Sequence, residues 1–159
     1  MEASDRAIIK GGVFVKRDYG VVIIARDEEH NIEGCISAIV GSGIEDPLVI
    51  VDERSSDGTA EGARKYSRNV MEARGNRGKL RNLGYEKTEL PFVAYVDADM
   101  RIGPGYLETL RENMEQDPRL AIVCGMQTPY NCGLLGSLEC EYWNYRHATG
   151  SGGAMYRAA

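Results

Sequence analysis

Two carboxylates stand one residue apart, at Asp97 and Asp99, immediately after the apolar run Phe92-Val93-Ala94-Tyr95-Val96. The run reads as a buried strand, so the acids fall at its carboxyl end. Ligands of open α/β sheets bind just outside that end of the strands. Two carboxylates there can hold a hard divalent cation, which keeps several waters and shares itself with substrate phosphates. The chemistry these residues point to is therefore a metal–phosphate site. A second run, Pro47-Leu48-Val49-Ile50-Val51, also ends in acids, Asp52 and Glu53, and continues into Arg54-Ser55-Ser56-Asp57-Gly58-Thr59. A helix is expected from Ala60 to about Arg68, with Ser56 or Asp57 as its N-cap. Capping accounts for Ser55, Ser56 and Asp57 but not for Asp52 and Glu53, which precede it. An aspartate at a strand end can accept a hydrogen bond from a ligand N–H such as a uracil ring offers.

The elements that position these acids alternate between strand and helix. Val21–Ala25 reads as a strand, and Arg26-Asp27-Glu28-Glu29 opens a helix to about Val40 with Ile32, Cys35, Ile36 and Ile39 on one face. Gly41-Ser42-Gly43 ends it. Val70–Glu72 is a short strand, Arg74–Gly78 a loop, and Lys79–Lys87 a helix. Gly103-Pro104-Gly105 starts a further helix in which Leu107, Leu110 and Met114 share a face and which Asp117-Pro118 stops. Ala121–Cys124 is a strand, Leu134–His147 a helix, and Ala154–Tyr156 the start of a last strand. Ala7–Ile9 and Val13–Val15, parted by Gly11-Gly12, form a hairpin or an N-terminal extension. Such alternation predicts an α/β fold with a mostly parallel, Rossmann-like sheet flanked by helices. Residues 1–19 are expected to be an extension, and 20–159 one domain.

The chain has 159 residues, 19 basic and 24 acidic, for a net charge of −5. A domain of that size buries roughly 68–70% of its unfolded surface, enough for a core without staples. The acidic balance argues against a nucleic-acid grip through bulk charge. Cys35, Cys124, Cys132 and Cys140 include no close Cys-x-x-Cys pair, so they read as free core thiols of a reducing, cytoplasmic compartment rather than zinc ligands. His30 and His147 are isolated. No 18-residue apolar run exists, so no membrane span is expected.

Several other chemistries fail on spacing. Gly75-Asn76-Arg77-Gly78-Lys79 has too few residues between its glycines for a P-loop and Leu80 where a hydroxyl should bind magnesium. Asp52–Gly58 has Arg54 at a calcium-ligand position. Asp97-Ala98-Asp99 lacks the Thr or Val that follows a phosphatase nucleophile, having Arg101 there. Neither histidine can be matched to a nucleophile.

Taken together, five stretches resemble the inverting GT-A glycosyltransferases of family 2, which use nucleotide sugars. Val22–Glu29 looks like the family's first strand and Asn-Glu-Glu-type turn, and Val51-Asp52-Glu53-x-Ser55-x-Asp57-Gly58-Thr59 like its Asp-Asp-x-Ser-x-Asp-Gly-Thr signature. Arg81-Asn82-x-Gly84 looks like its Arg-Asn-x-Gly helix start, and Tyr95–Asp99 like its metal motif. Gly152-Gly153-Ala154-Met155-Tyr156-Arg157 looks like the Gly-Gly-x-x-x-Arg strand near the acceptor site. Glu53 stands where a second Asp is commoner, Arg54 where small residues are frequent, and the loop before Arg81 is short.

The resemblance implies a GT-A fold and an inverting displacement assisted by Mn2+ or Mg2+. Its donor would be a nucleotide sugar, a UDP-sugar by preference, and its acceptor a saccharide, a lipid phosphate or a protein. Asp99 would bind the metal directly, while Asp97 would touch the ribose or a metal-bound water. Ala98 would line the donor site with them. Asp52 would take the base N–H, with Glu53 beside it. Ala25, Arg26 and Glu28 would line the nucleoside pocket, and Arg81 would lie near the nucleotide. It also implies that the general base lies beyond Ala159, in a longer parent that could sit at the inner face of a membrane. This chain is then expected to bind donor without useful transfer, Glu139 and Glu141 being the first suspects for a base if it does transfer. A sugar nucleotidyltransferase should show a Gly-rich turn after the first strand, which Ile23–Glu28 lacks. A nucleotide-binding module without turnover is the remaining alternative.

Overall fold

In a computed structural model, residues 7–10, 13–44, 47–125 and 153–157 are described. The hairpin expected at the amino terminus is present: β1 (Ala7–Lys10) and β2 (Val13–Lys16) pair antiparallel as a separate two-stranded sheet. The main sheet has six strands in the order β5-β4-β3-β6-β8-β7. Its parallel part consists of β3 (Tyr19–Ala25), β4 (Leu48–Asp52), β5 (Asn69–Glu72) and β6 (Phe92–Asp97). Beside them, β8 (Gly153–Arg157) runs antiparallel to both β6 and the edge strand β7 (Ile122–Cys124). Mostly parallel is thus the observed arrangement.

The apolar runs are continuous because both faces of the sheet are covered. On one face Val21, Ile23, Ile50, Ala94 and Val96 pack with the predicted apolar sides of two helices. These are α1 (Ile32–Gly41), contributing Ile32, Cys35, Ile36 and Ile39, and α4 (Tyr106–Gln116), contributing Leu107, Leu110 and Met114. The short α2 (Thr59–Arg64) adds Ala63 to this side. On the other face Val22, Val49, Val51 and Val93 pack with Leu80 of α3 (Arg77–Thr88). Gly84 permits that approach, since a Cβ there would collide with Val22 and stand 3.3 Å from Val51.

Element ends differ from expectation where the polar loops have other partners. Helix α1 starts at Ile32, not in Arg26–Glu29, because Asp27 adopts a left-handed backbone (φ 53°) and the Glu28 carbonyl accepts the Asn31 and Ile32 N–H groups. Helix α2 is shorter than predicted, and its N-cap position is Gly58, not Ser56 or Asp57. Helix α3 begins two residues early, capped by Asn76, whose side-chain oxygen accepts the Lys79 N–H at 2.9 Å. The boundary expected at residue 20 falls inside β3. Arg17 is buried and donates to the Gly43 carbonyl at 2.9 Å, while Asp18 takes a forked pair of bonds from Arg111. The helix expected over Leu134–His147, with Cys132, Cys140, Glu139 and Glu141, lies outside the described residues. No helix among the described residues is long and apolar enough to cross a membrane.

Candidate donor-binding site

Parallel register sets the site. Ala25 stands opposite Asp52 across β3–β4, and Ile24 opposite Asp97 across β3–β6. Three adjacent strands therefore deliver Glu53, Arg26 and the Asp97–Asp99 turn to one edge of the sheet. They surround a cavity of about 340 Å3, lined also by Ile24, Ala25, Glu28, Ala98 and, from the first turns of α3, Arg77 and Arg81. Eight of the nine residues singled out in the sequence meet there. Asp52 is the exception. It is 1% exposed and does not line the cavity. Its two oxygens accept from Ser55, one from the backbone N–H at 3.1 Å and the other from the hydroxyl.

The Asp97 turn is closed by the Met100 N–H donating to the Asp97 carbonyl at 3.0 Å. The same carbonyl accepts from the Cys35 thiol of α1 at 3.5 Å. Burial pushes that thiol up to about 12, so it stays protonated. Arg101 anchors the far side of the turn: its guanidinium occupies the space where a Cβ on Gly34 would be, and it donates to the Met100 carbonyl at 2.9 Å. Asp99 is exposed, whereas Asp97 is half-buried. Burial raises the Asp97 carboxyl above the usual carboxylate range, Asp99 raises it further, and Arg81 and Arg77 oppose the rise.

Arg81 is held by Tyr95. Its guanidinium lies 5.4 Å from the centre of that ring, and the Tyr95 hydroxyl donates to its carbonyl at 3.2 Å. The Arg81 Nε is buried and has no hydrogen-bond partner among the described residues. Arg77 was not foreseen as a lining residue. Its signal was its place at the start of a helix that follows a Gly-Asn turn beside the site.

The stretch Ser55–Thr59 is more than a cap. The Asp27 N–H donates to Ser55 Oγ at 2.9 Å, and the Ser56 N–H returns a bond to the Asp27 carboxylate at 2.7 Å. Glu28 N–H donates to Thr59 Oγ1 at 2.8 Å, and Glu29 N–H to Asp57 at 3.1 Å. Gly58 N–H answers with a bond to the Glu29 carboxylate at 3.1 Å. The signature residues thus latch the β4–α2 loop onto the β3–α1 loop and fix the wall that carries Arg26 and Glu28. Two non-glycine residues in the left-handed region, Asp27 and Arg54, sit within this latch.

Arg157 is not at this edge. In the antiparallel β6–β8 register Gly153 faces Val96 near the site, but Arg157 faces Phe92 at the opposite end of the strand. There its guanidinium donates to the Met114 carbonyl at 2.8 Å and lies 5.0 Å from the Phe92 ring. Of the described residues of that motif, Gly153 stands nearest the site edge of the sheet.

Among the described residues no group of three or more His, Cys, Asp or Glu side chains is arranged to hold a metal. Asp97 and Asp99 offer two carboxylates, a donor set that suits a hard cation completing its shell with water and phosphate oxygens. Both carboxylates line the cavity, and Asp99 adds to the rise that burial causes in the Asp97 carboxyl, so the residues fit such an ion.

The chain is similar in sequence to one family and in fold to solved structures. The family described as glycosyl transferase family 2 matches residues 20–150, and the chain belongs to it. Its fold is that of the GT-A glycosyltransferases. Glucosyl-3-phosphoglycerate synthase from Mycobacterium tuberculosis, solved with Mg2+ and uridine diphosphate, superposes with a TM-score of 0.64 at 20% identity, over 89% of this chain and 56% of that one. The same synthase with Mn2+, uridine diphosphate and glucosyl-3-phosphoglycerate gives 0.64 at 20%, over 89% and 57%. A structure described only as a mycobacterial protein gives 0.65 at 20%, over 89% and 53%. The chain spans a little more than half the length of these structures. No curated protein matches the sequence significantly.

Proposed function

We propose that the cavity is the donor site of a metal-assisted, inverting glycosyltransferase that takes a nucleotide sugar, with a UDP-sugar favoured. The acceptor belongs to the saccharide, lipid-phosphate or protein classes. The observation that carries this reading is the meeting of Asp97 and Asp99 with Arg77 and Arg81 in one cavity at the carboxyl edge of the sheet. The similar synthase carries UDP with Mg2+ or Mn2+, which supports the same ligands here.

In this reading Asp99 and Asp97 hold a divalent cation, which when bound supplies positive charge to the leaving diphosphate. Arg77 and Arg81 face the same diphosphate and hold it by charge-assisted bonds. Ala25 and Glu28 line the nucleoside end, kept in place by the latch to Ser55–Thr59. An acceptor hydroxyl displaces the diphosphate from the opposite face of the anomeric carbon. The main sheet, which begins with Tyr19 in β3, supplies this donor-binding portion, with the β1–β2 hairpin before it as an appended extension.

Calorimetry with UDP in Mn2+ and in chelator tests the reading. Opposite unit charges 4 Å apart attract by about 4 kcal/mol at an effective dielectric of 20, before desolvation. Asp99→Ala should therefore weaken UDP binding at least about tenfold in Mn2+, a loss of about 1.4 kcal/mol. Equal affinity of wild type and variant in Mn2+ would remove Asp99 from the metal site.

A further inference from the structure

We propose that Arg101, lodged against the bare backbone of Gly34, is a positioning residue that holds Asp97 and Asp99 at the spacing a divalent cation needs. The inference deepens the donor-site reading and rests on it. Arg101 follows Asp99 by two residues and does not line the cavity. Its guanidinium lies instead on the first turn of α1. A Cβ on Gly34 would collide with Arg101 Nη2 and stand 2.6 Å from Cζ and 2.7 Å from Nε. Contacts of a Cβ under 3.0 Å essentially never occur, so a side chain at position 34 evicts the guanidinium.

Helix α1 receives both flanks of the metal turn at adjacent residues. Arg101 Nη1 donates to the Met100 carbonyl at 2.9 Å, which ties the lodged guanidinium to the end of the turn. One residue along from Gly34, the Cys35 thiol donates to the Asp97 carbonyl at 3.5 Å. That carbonyl also takes the Met100 N–H at 3.0 Å. Two ionised carboxylates one residue apart repel each other. A backing on α1 keeps the turn closed against that repulsion before a cation neutralises it.

The contact requires glycine at position 34, whereas the helix does not. Gly34 lies within α1, where alanine has the better helix propensity. The atoms that a methyl group would displace are the far end of a flexible side chain, so the fold accommodates the substitution by swinging Arg101 away. Gly34→Ala therefore separates two roles. A contact that only packs the fold costs stability when it is lost. One that positions the turn costs metal affinity and leaves stability alone or raises it.

Calorimetry of UDP on the 159-residue chain, in Mn2+ and in chelator, decides the matter together with melting curves in chelator. Gly34→Ala should melt at or above wild type and bind UDP in chelator as wild type does. In Mn2+ it should bind UDP about 3- to 10-fold more weakly, short of the about 10- to 100-fold lost with an outer partner of a metal ligand, because the Cys35 and Met100 bonds remain. Arg101→Met should show the same Mn2+-specific loss, and the double variant no further loss, since both changes remove one contact. Unchanged affinity in Mn2+ for either single variant, an equal loss in Mn2+ and in chelator, or losses that multiply in the double variant would overturn the proposal and leave the donor site standing. So would a Gly34→Ala chain that melts well below wild type, because the methyl would then have met something less yielding than Arg101. Failure of wild type to bind UDP more tightly in Mn2+ than in chelator would overturn the donor-site reading, and this proposal with it.

Discussion

Asp97 is asked to be two things at once: an end of a buried strand and a charged group beside Asp99. Its carboxyl is raised by burial first and by Asp99 second. A folded-state value above the unfolded one means that the fold prefers the protonated form. The cost is absent when the group is protonated in both states, and sets in as pH rises from the unfolded value through the folded one. Asp97→Asn should therefore raise the thermal midpoint of the metal-free protein at neutral pH, with an advantage that shrinks as pH falls into the carboxylate range. Melting curves in chelator at several pH values check this. A variant less stable than wild type at neutral pH would show that the Asp97 charge is compensated in the fold. The acids of this site were legible in sequence because an apolar run broke off at them. The burial of Asp52 was not, since nothing in the order Val51-Asp52-Glu53 says which of two adjacent carboxylates turns inward. The Ser55 hydroxyl three residues on makes that choice.

At the scale of elements, the loops rather than the helices carry the information. Ser55 joins three groups: its hydroxyl donates to Asp52 and accepts the Asp27 N–H, and its own N–H donates to Asp52. Ser55→Ala leaves the buried Asp52 short of one partner and the Asp27 N–H without its acceptor. The expected loss is about 1–3 kcal/mol of stability, the range for an unsatisfied buried group, measured by urea denaturation with an unchanged slope. A change within experimental error would mean that the latch is not a unit. The helical faces of α1 and α4 could be read directly from spacing, because a 3.6-residue period marks the side that meets the sheet. The start of α1 could not. Acidic residues favour a first turn, and only the cross-loop bonds of Asp27, Glu28 and Glu29 reveal that these amides are already engaged.

Over the whole molecule, a sheet whose strands β3, β4 and β6 end at one edge converts three separate stretches of sequence into one cavity, with α3 closing it from the other face. The alternation of strands and helices made that class of fold readable. The position of β8 was not readable: its antiparallel register carries Arg157 away from the site to Phe92, Met114 and the foot of α4. The central claim is that Asp97 and Asp99 bind a divalent cation jointly with a nucleoside diphosphate. Electron paramagnetic resonance of Mn2+ tests it most directly, because the sharp signal of the aqueous ion is lost on binding. With wild-type protein the signal should fall sharply only when UDP is also present, beyond the loss UDP causes alone, and Asp99→Ala should leave it as UDP alone does. A signal no lower with protein and UDP together than with UDP alone, or one equally lowered with the Asp99→Ala variant, would contradict the account.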